Sequence, residues 1–276
     1  MNELEKALEI SHRHSKTLCE YVDKNLIKSH DINEADHFAF ISLSFIHKQM
    51  AHARSISLLF TSGFLSDATI IARVMLEGFI YLAWMNIDPD KRAKKYRSHA
   101  LIADFRRILD KDKRGITVPP DQRKAVIDRL AELGPEYLNK RSKAVGAPPV
   151  ADPYQKSWNY DDLGKRIEIE RMADEAGDVG LKELYDDLSQ WSHWTIDGIG
   201  HNLVRAPNSV KISKGGSRDA ILACHVVISA LAGTGIIVSS HLKLDHEEKL
   251  ESLRSAFATE IRQMQQYSLA ATKPNA

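Results

Sequence analysis

An arginine and a glutamate interrupt an apolar segment between residues 66 and 86. Arg73 and Glu77 are its only charged residues after Asp67, and they are four residues apart. On a helix, that spacing places both side chains on one face. Arginine stays charged and presents a fork of N–H donors that suits a carboxylate or a phosphate. We therefore expect Arg73, with Glu77 beside it, to bind a small polar or anionic ligand.

The neighbours of this pair are apolar. We therefore expect little water around the pair, and a charged side chain in such an environment needs a partner. The residues expected to exclude water are Ile70, Met75, Phe79 and Tyr81. The alternative interpretation is structural: a buried Arg73–Glu77 ion pair that fixes the register of two packed helices.

A second polar stripe occurs further along the chain. Tyr185, Ser189 and His193 follow one another at intervals of four residues, and Asp197 and His201 continue the row. Such a row can form a hydrogen-bond network on one helix face, in which Asp197 orients His193 and His193 faces Ser189. We expect the tyrosine, the serine and the first histidine to complete the ligand pocket around the arginine and the glutamate.

Other chemistries fit this stripe less well. A nucleophilic serine needs an exposed position and an oxyanion hole, whereas a regular helix has its amides engaged. His193 and His201 are eight residues apart, about 12 Å along a helix, which is too far to share one metal ion. The sequence therefore predicts no metal site and no cofactor, and it leaves open whether the chain is an enzyme.

A rival site contains Arg218 and His225. Their seven-residue separation is nearly two helical turns, so they share a face, and a helix N-terminus at the arginine suits a phosphate. The histidine could act as a base while the arginine stabilises developing charge. This Arg-x6-His pattern resembles the motif of the HEPN superfamily, the helical ribonucleases of prokaryotic toxin and defence systems. The resemblance implies an endoribonuclease, although Arg92 and His99 have the same spacing, so the pattern is weakly specific.

Helical periodicity extends over almost every long segment, and no run alternates long enough to predict a strand. The sequence predicts an all-α fold, a multi-helix bundle of about eight or nine helices, in a single domain of residues 1–276. The predicted helices are 3–27, 34–60, 66–86, 89–109, 120–133, 161–175, 181–203, 218–242 and 246–270.

Local signals set several helix boundaries. Asp31 and Ser66 are the predicted N-caps of the second and third helices, and Gly63 ends the second. Asp88 followed by proline predicts the start of the fourth helix. One long proline-rich loop covers residues 145–158.

The charge balance argues against a broad nucleic-acid surface. The chain has 38 Lys and Arg against 37 Asp and Glu, so nucleic acid is an expected partner only if the ribonuclease interpretation holds. An N-terminus without an apolar stretch predicts a cytoplasmic protein. Polar and glycine residues within 220–242 favour a buried helix over a membrane span.

A third interpretation is a structural or interaction protein. In that case the polar network is interior scaffolding, and the long helices pair with a second copy of the chain to form a homodimer.

Two sequence motifs of this chain resemble those of a known protein family. The segment GFLSDATIIARVMLEGFIYLAWM, with Arg73-x3-Glu77 and an aromatic continuation, is followed far downstream by LYDDLSQWSH. Together they resemble the uncharacterised bacterial family known as domain of unknown function 5677, over residues 38–242, with helical extensions at both ends. The resemblance implies a mostly helical bacterial protein with Arg73, Glu77, Ser189 and His193 as signature positions, and it implies no established activity.

Overall fold

The computed structural model describes residues 3–133, 137–144, 151–161, 163–177, 179–192, 203–206, 209–212 and 217–271. These residues form ten α-helices, two of them shorter than eight residues, and one short hairpin. The helices are α1 (Glu3–Asn25), α2 (His37–Thr61), α3 (Leu65–Met85), α4 (Pro89–Lys113), α5 (Pro120–Ala131), α6 (Lys140–Lys143), α7 (Ile169–Glu175), α8 (Val179–Ser192), α9 (Ser217–Leu242) and α10 (Glu247–Ala271). The prediction of an all-α multi-helix bundle is confirmed.

The hairpin was not predicted. Its strands, β1 (Leu203–Ala206) and β2 (Ser209–Ile212), pair antiparallel. Each has only four residues, which is too short for an alternating pattern to be recognised. The prediction that a helix continues to Leu203 is therefore wrong at its end, since Leu203 begins β1.

Capping residues explain where the first long helices begin and end. The N-cap of α2 is Asp36, whose side chain accepts a hydrogen bond from the Ala39 amide, so the prediction of Asp31 was wrong. The helix ends before Gly63, whose φ of +79° is a left-handed conformation that glycine adopts without strain. Asp88 caps α4 as predicted, whereas α3 begins at Leu65 without a side-chain cap, so Ser66 is not its N-cap.

Two apolar helices, α3 and α9, form the centre of the bundle. They pack against each other; α9 also contacts α1, α2 and α10, while α3 contacts α2, α7 and α8. Met75, Leu76 and Leu231 are fully buried at this centre. A Cβ atom built on Gly233 of α9 would lie 2.4 Å from Cζ of Phe79, so the absence of a side chain there allows the two helices to approach.

The segment before α7 begins with a turn instead of a helix, contrary to the prediction of a helix from residue 161. The Asp161 carboxylate accepts hydrogen bonds from the amides of Leu163 and Lys165, and Tyr160 pairs with Arg166 in an antiparallel bridge. Side chain–backbone bonds of this kind offer the chain an alternative to the helix.

Among the residues that the structure describes, two helical segments are long and apolar enough to cross a membrane by length and composition, namely Leu65–Met85 and Ala220–Leu242. In the most apolar 18-residue window of each segment, the buried share is 56% for Leu65–Met85 and 67% for Ala220–Leu242. The centre of a large bundle requires the same composition, so these helices are only a weak indication of a membrane span.

Candidate functional site

The guanidinium of Arg73 lies against α8. Its Nε donates to Oγ of Ser189 at 3.1 Å, and its Nη2 donates to the hydroxyl of Tyr185 at 2.9 Å. The guanidinium carbon is 5.1 Å from the centroid of the Tyr185 ring. The fold thus brings together three of the five residues that the sequence places in one pocket, from segments more than 100 residues apart.

Glu77 has a different partner. Its Oε1 accepts a hydrogen bond of 2.8 Å from the hydroxyl of Tyr81, one turn further along α3. Among the ion pairs of the described residues, none joins Glu77 to Arg73. The alternative prediction of an Arg73–Glu77 ion pair is therefore wrong, since the arginine bonds to α8 and the glutamate to its own helix.

Water is also less excluded from this region than the sequence suggests. Ile70 is 41% exposed and Val74 is 40% exposed, and the two charged residues themselves are half-buried. Met75 and Phe79 are buried, as predicted, but they belong to the side of α3 that packs into the core. The site lies at the edge of the bundle centre because α3 keeps one exposed stripe.

A cavity of about 240 Å³ lies next to Glu77. It is lined by residues of α2, α3 and α4, and its polar members include Lys48, Gln49 and His52 beside the glutamate. These three α2 residues were not predicted from the sequence, because α2 shows no charged residue in an apolar setting comparable to that of Arg73.

Two residues that line this cavity each have a buried polar atom that finds no hydrogen-bond partner within the described part of the chain. Gln49 is 3% exposed, and its Nε2 donates to the Met75 carbonyl at 2.8 Å, which leaves Oε1 buried and unpaired. Nε2 of His52 is likewise buried without a partner. Most buried polar groups in native proteins are satisfied, so two lining residues with unsatisfied buried atoms make this cavity a candidate site for a polar ligand.

The protonation states of two cavity residues follow from their surroundings. Burial lowers the pKa of His52, and the charge of Lys48 lowers it further, so the imidazole is neutral near pH 7. Burial and the bond to Glu77 raise the pKa of Tyr81, so its phenol stays protonated and keeps donating to the carboxylate.

Aromatic rings form another wall of the cavity. The ring centroids of Phe45 and Tyr96 are 5.7 Å apart in an edge-to-face contact. Trp158 contacts Tyr96 at 4.8 Å and Tyr81 at 5.4 Å, both edge-to-face. These contacts hold the rings in place at the cavity.

Gly78 allows α2 and α3 to approach at this point. A Cβ atom there would lie 3.2 Å from Nε2 of Gln49 and 3.9 Å from the Phe45 ring. A glycine inside a long apolar helix is a signal of close approach that the sequence does contain.

The structure does not describe most of the remaining predicted residues. His193, Asp197 and His201 lie outside the described residues, as does the side chain of Arg218. His225 is exposed on α9, with its ring centroid 5.7 Å from that of Phe257. Its role in a ribonuclease stays a prediction.

Within the described part of the chain, no group of three or more His, Cys, Asp or Glu residues is arranged to hold a metal ion. The residues that line the cavity supply hydrogen-bonding groups, the Glu77 carboxylate, the Lys48 ammonium group and aromatic rings.

A comparison with known proteins identifies the family. The model of a family of unknown function, DUF5677, matches residues 39–209, more than half of the chain. No curated protein and no solved structure matches. The matched span contains α2, α3, α4 and α8, which supply both the Arg73 contacts and the cavity, and it ends before Arg218. The chain therefore belongs to the DUF5677 family.

Proposed function

We propose that this protein binds a small polar molecule in the cavity between α2, α3 and α4, with Gln49, His52 and Glu77 as its polar contacts. The observation that carries this proposal is the pair of buried, unpartnered atoms, Oε1 of Gln49 and Nε2 of His52, in residues that line one cavity.

The energetics favour an occupant. A buried polar atom that is left without a partner costs about 1–3 kcal/mol, so a ligand gains by bonding to either of these two atoms. Gln49 is already held by the Met75 carbonyl, so its Oε1 is oriented before the ligand arrives and little side-chain entropy is lost on binding.

The space is sufficient for an organic molecule. The cavity volume of about 240 Å³ is more than ten times the roughly 10–15 Å³ that one water molecule requires. Val74, which lines the cavity, is 40% exposed, so an entrance for a ligand lies on the solvent side of α3.

Arg73 supports this site under the proposal. Its side chain joins α8 to α3 one turn before Glu77, but it does not line the cavity. A direct contact of Arg73 with an anionic group of the ligand remains a prediction, and Arg73→Ala in the binding assay tests it.

The test uses two exposed apolar positions on one face of α3. Val74→Trp places an indole at the cavity, whereas Ile70→Trp places it one turn earlier, outside the lining. Thermal shifts are measured with a broad metabolite panel for the wild type and both variants. We expect compounds that stabilise the wild type and Ile70→Trp but not Val74→Trp. Equal stabilisation of the two variants, or no stabilising compound at all, would overturn the proposal.

A further inference from the structure

Two of the polar residues that line this cavity, Glu77 and Gln49, offer hydrogen-bond acceptors. The Glu77 carboxylate has no donor, and one of its oxygens already accepts from Tyr81. The Gln49 amide gives a hydrogen to the Met75 carbonyl and leaves its oxygen unpaired. A ligand that fits both groups must therefore bring N–H or O–H donors.

The aromatic residues of the cavity wall favour a positively charged ligand. Phe45, Tyr81 and Tyr96 line the same cavity, and the faces of aromatic rings attract cations. A carboxylate together with three aromatic rings is a suitable environment for a positively charged group and a poor one for an anion.

The basic residues at the cavity do not prevent the binding of a positively charged group. Lys48, the one permanently charged basic residue among the described lining residues, is exposed, so its ammonium group is hydrated and screened. His52 is neutral near pH 7, because burial and the charge of Lys48 both lower its pKa. The inner wall therefore has Glu77 as its charged group.

We infer that the ligand is a small organic ammonium compound whose N–H groups donate to the Glu77 carboxylate and to Oε1 of Gln49. This inference rests on the proposed function and specifies the ligand class of the same cavity. It assigns a separate role to each polar group: the carboxylate binds the charge, and the amide oxygen orients a second N–H bond.

The experiment uses a fragment set built from matched pairs, in which each amine has a neutral hydroxyl counterpart of the same shape, such as phenethylamine and 2-phenylethanol. Binding is measured by ligand-observed NMR on the full chain. Wild type, Val74→Trp and Ile70→Trp identify the fragments that occupy the cavity. We expect the amine of each cavity-binding pair to bind at least about tenfold more tightly than its hydroxyl partner, which is about 1.4 kcal/mol.

Glu77→Gln then tests the role of the charge. The glutamine keeps an oxygen that can accept from Tyr81 but has no charge, so amine binding should fall by about tenfold or more while hydroxyl binding changes little. Asp67→Asn, an exposed carboxylate on the same helix, serves as the matched control and should leave both unchanged.

Different results would overturn the ammonium inference and the proposed function. Cavity binding that shows no preference for the amines, or that survives Glu77→Gln undiminished, would overturn the ammonium inference and leave the cavity as a binding site. Fragments that bind Val74→Trp as well as the wild type, or an absence of bound fragments, would overturn the proposed function itself.

Discussion

Arg73 and Glu77 lie four residues apart on α3 and bond to different parts of the fold. Arg73 donates to Ser189 and Tyr185 of α8, whereas Glu77 accepts from Tyr81 and lines the cavity next to α2. The two charges can therefore be altered separately, one to test helix packing and the other to test the proposed ligand binding.

Arg73→Met should destabilise the protein by about 1–3 kcal/mol, because two hydrogen bonds to α8 are lost while much of the aliphatic packing remains. Urea unfolding measures the free energy change. Arg54→Met is the control: Arg54 forms an ion pair with Asp23 in which both side chains are about half exposed, and such pairs contribute little. An Arg73 variant as stable as the Arg54 variant would show that the contact with α8 does not stabilise the fold.

Gln49→Met should abolish ligand binding but change the stability of the ligand-free protein by less than about 1 kcal/mol. The substitution removes one hydrogen bond and one unpaired buried oxygen, two effects that oppose each other. Gln155, a buried glutamine that donates to the Leu138 carbonyl and lies outside this cavity, gives the comparison. Gln155→Met should lower stability by about 1 kcal/mol or more. Retained binding by Gln49→Met would remove Gln49 from the site.

Gly233→Ala should destabilise the bundle by about 1–3 kcal/mol, since the new methyl group would meet the Phe79 ring where α9 packs against α3. Phe79→Leu provides space, so the double variant should be less destabilised than the sum of the two single variants. Thermal or urea unfolding of the four proteins measures this coupling. Strict additivity would mean that the contact is relieved elsewhere.

Asp36→Ala should lower stability by about 1 kcal/mol near pH 7 through loss of the α2 cap. Burial alone would raise the pKa of Asp36, but the hydrogen bonds from the Ala39 amide and His241 outweigh it and lower the pKa below its ordinary value. A carboxyl with a lowered folded-state pKa stabilises the fold above its unfolded-state pKa, and that contribution is lost as the pH falls through the folded-state value.

The difference between wild type and Asp36→Ala should therefore shrink as the pH is lowered below about 4, which urea unfolding between pH 3 and pH 7 can follow. Asp31→Ala is the matched control, because Asp31 is exposed and does not cap α2. A larger effect at Asp31 than at Asp36 would contradict the capping assignment.

Local signals in the sequence were sufficient for much of the fold. Two helix boundaries were predicted from single residues. Asp88, which is followed by a proline, caps the start of α4, and Gly63 follows the end of α2. Asp31 and Asp36 are equally good caps by type, so the α2 cap was predicted five residues too early. A helix was also predicted where the Asp161 side chain bonds to the backbone instead.

The candidate site was predicted in part. The four-residue spacing of Tyr185 and Ser189 places them on one helix face, and the fold brings that face to Arg73. The cavity residues Gln49 and His52 were not found, because nothing in their local sequence shows that a polar atom will be buried without a partner.

The amino-acid sequence by itself determined the helical class, several helix boundaries and the stripes of polar residues on individual helices, because these depend on interactions within a few residues. Only the tertiary structure decided that Arg73 faces α8 while Glu77 faces a cavity. Burial and hydrogen-bond satisfaction depend on which helices pack together, and three helices that are separate in the sequence must meet before the buried Gln49 lines a cavity.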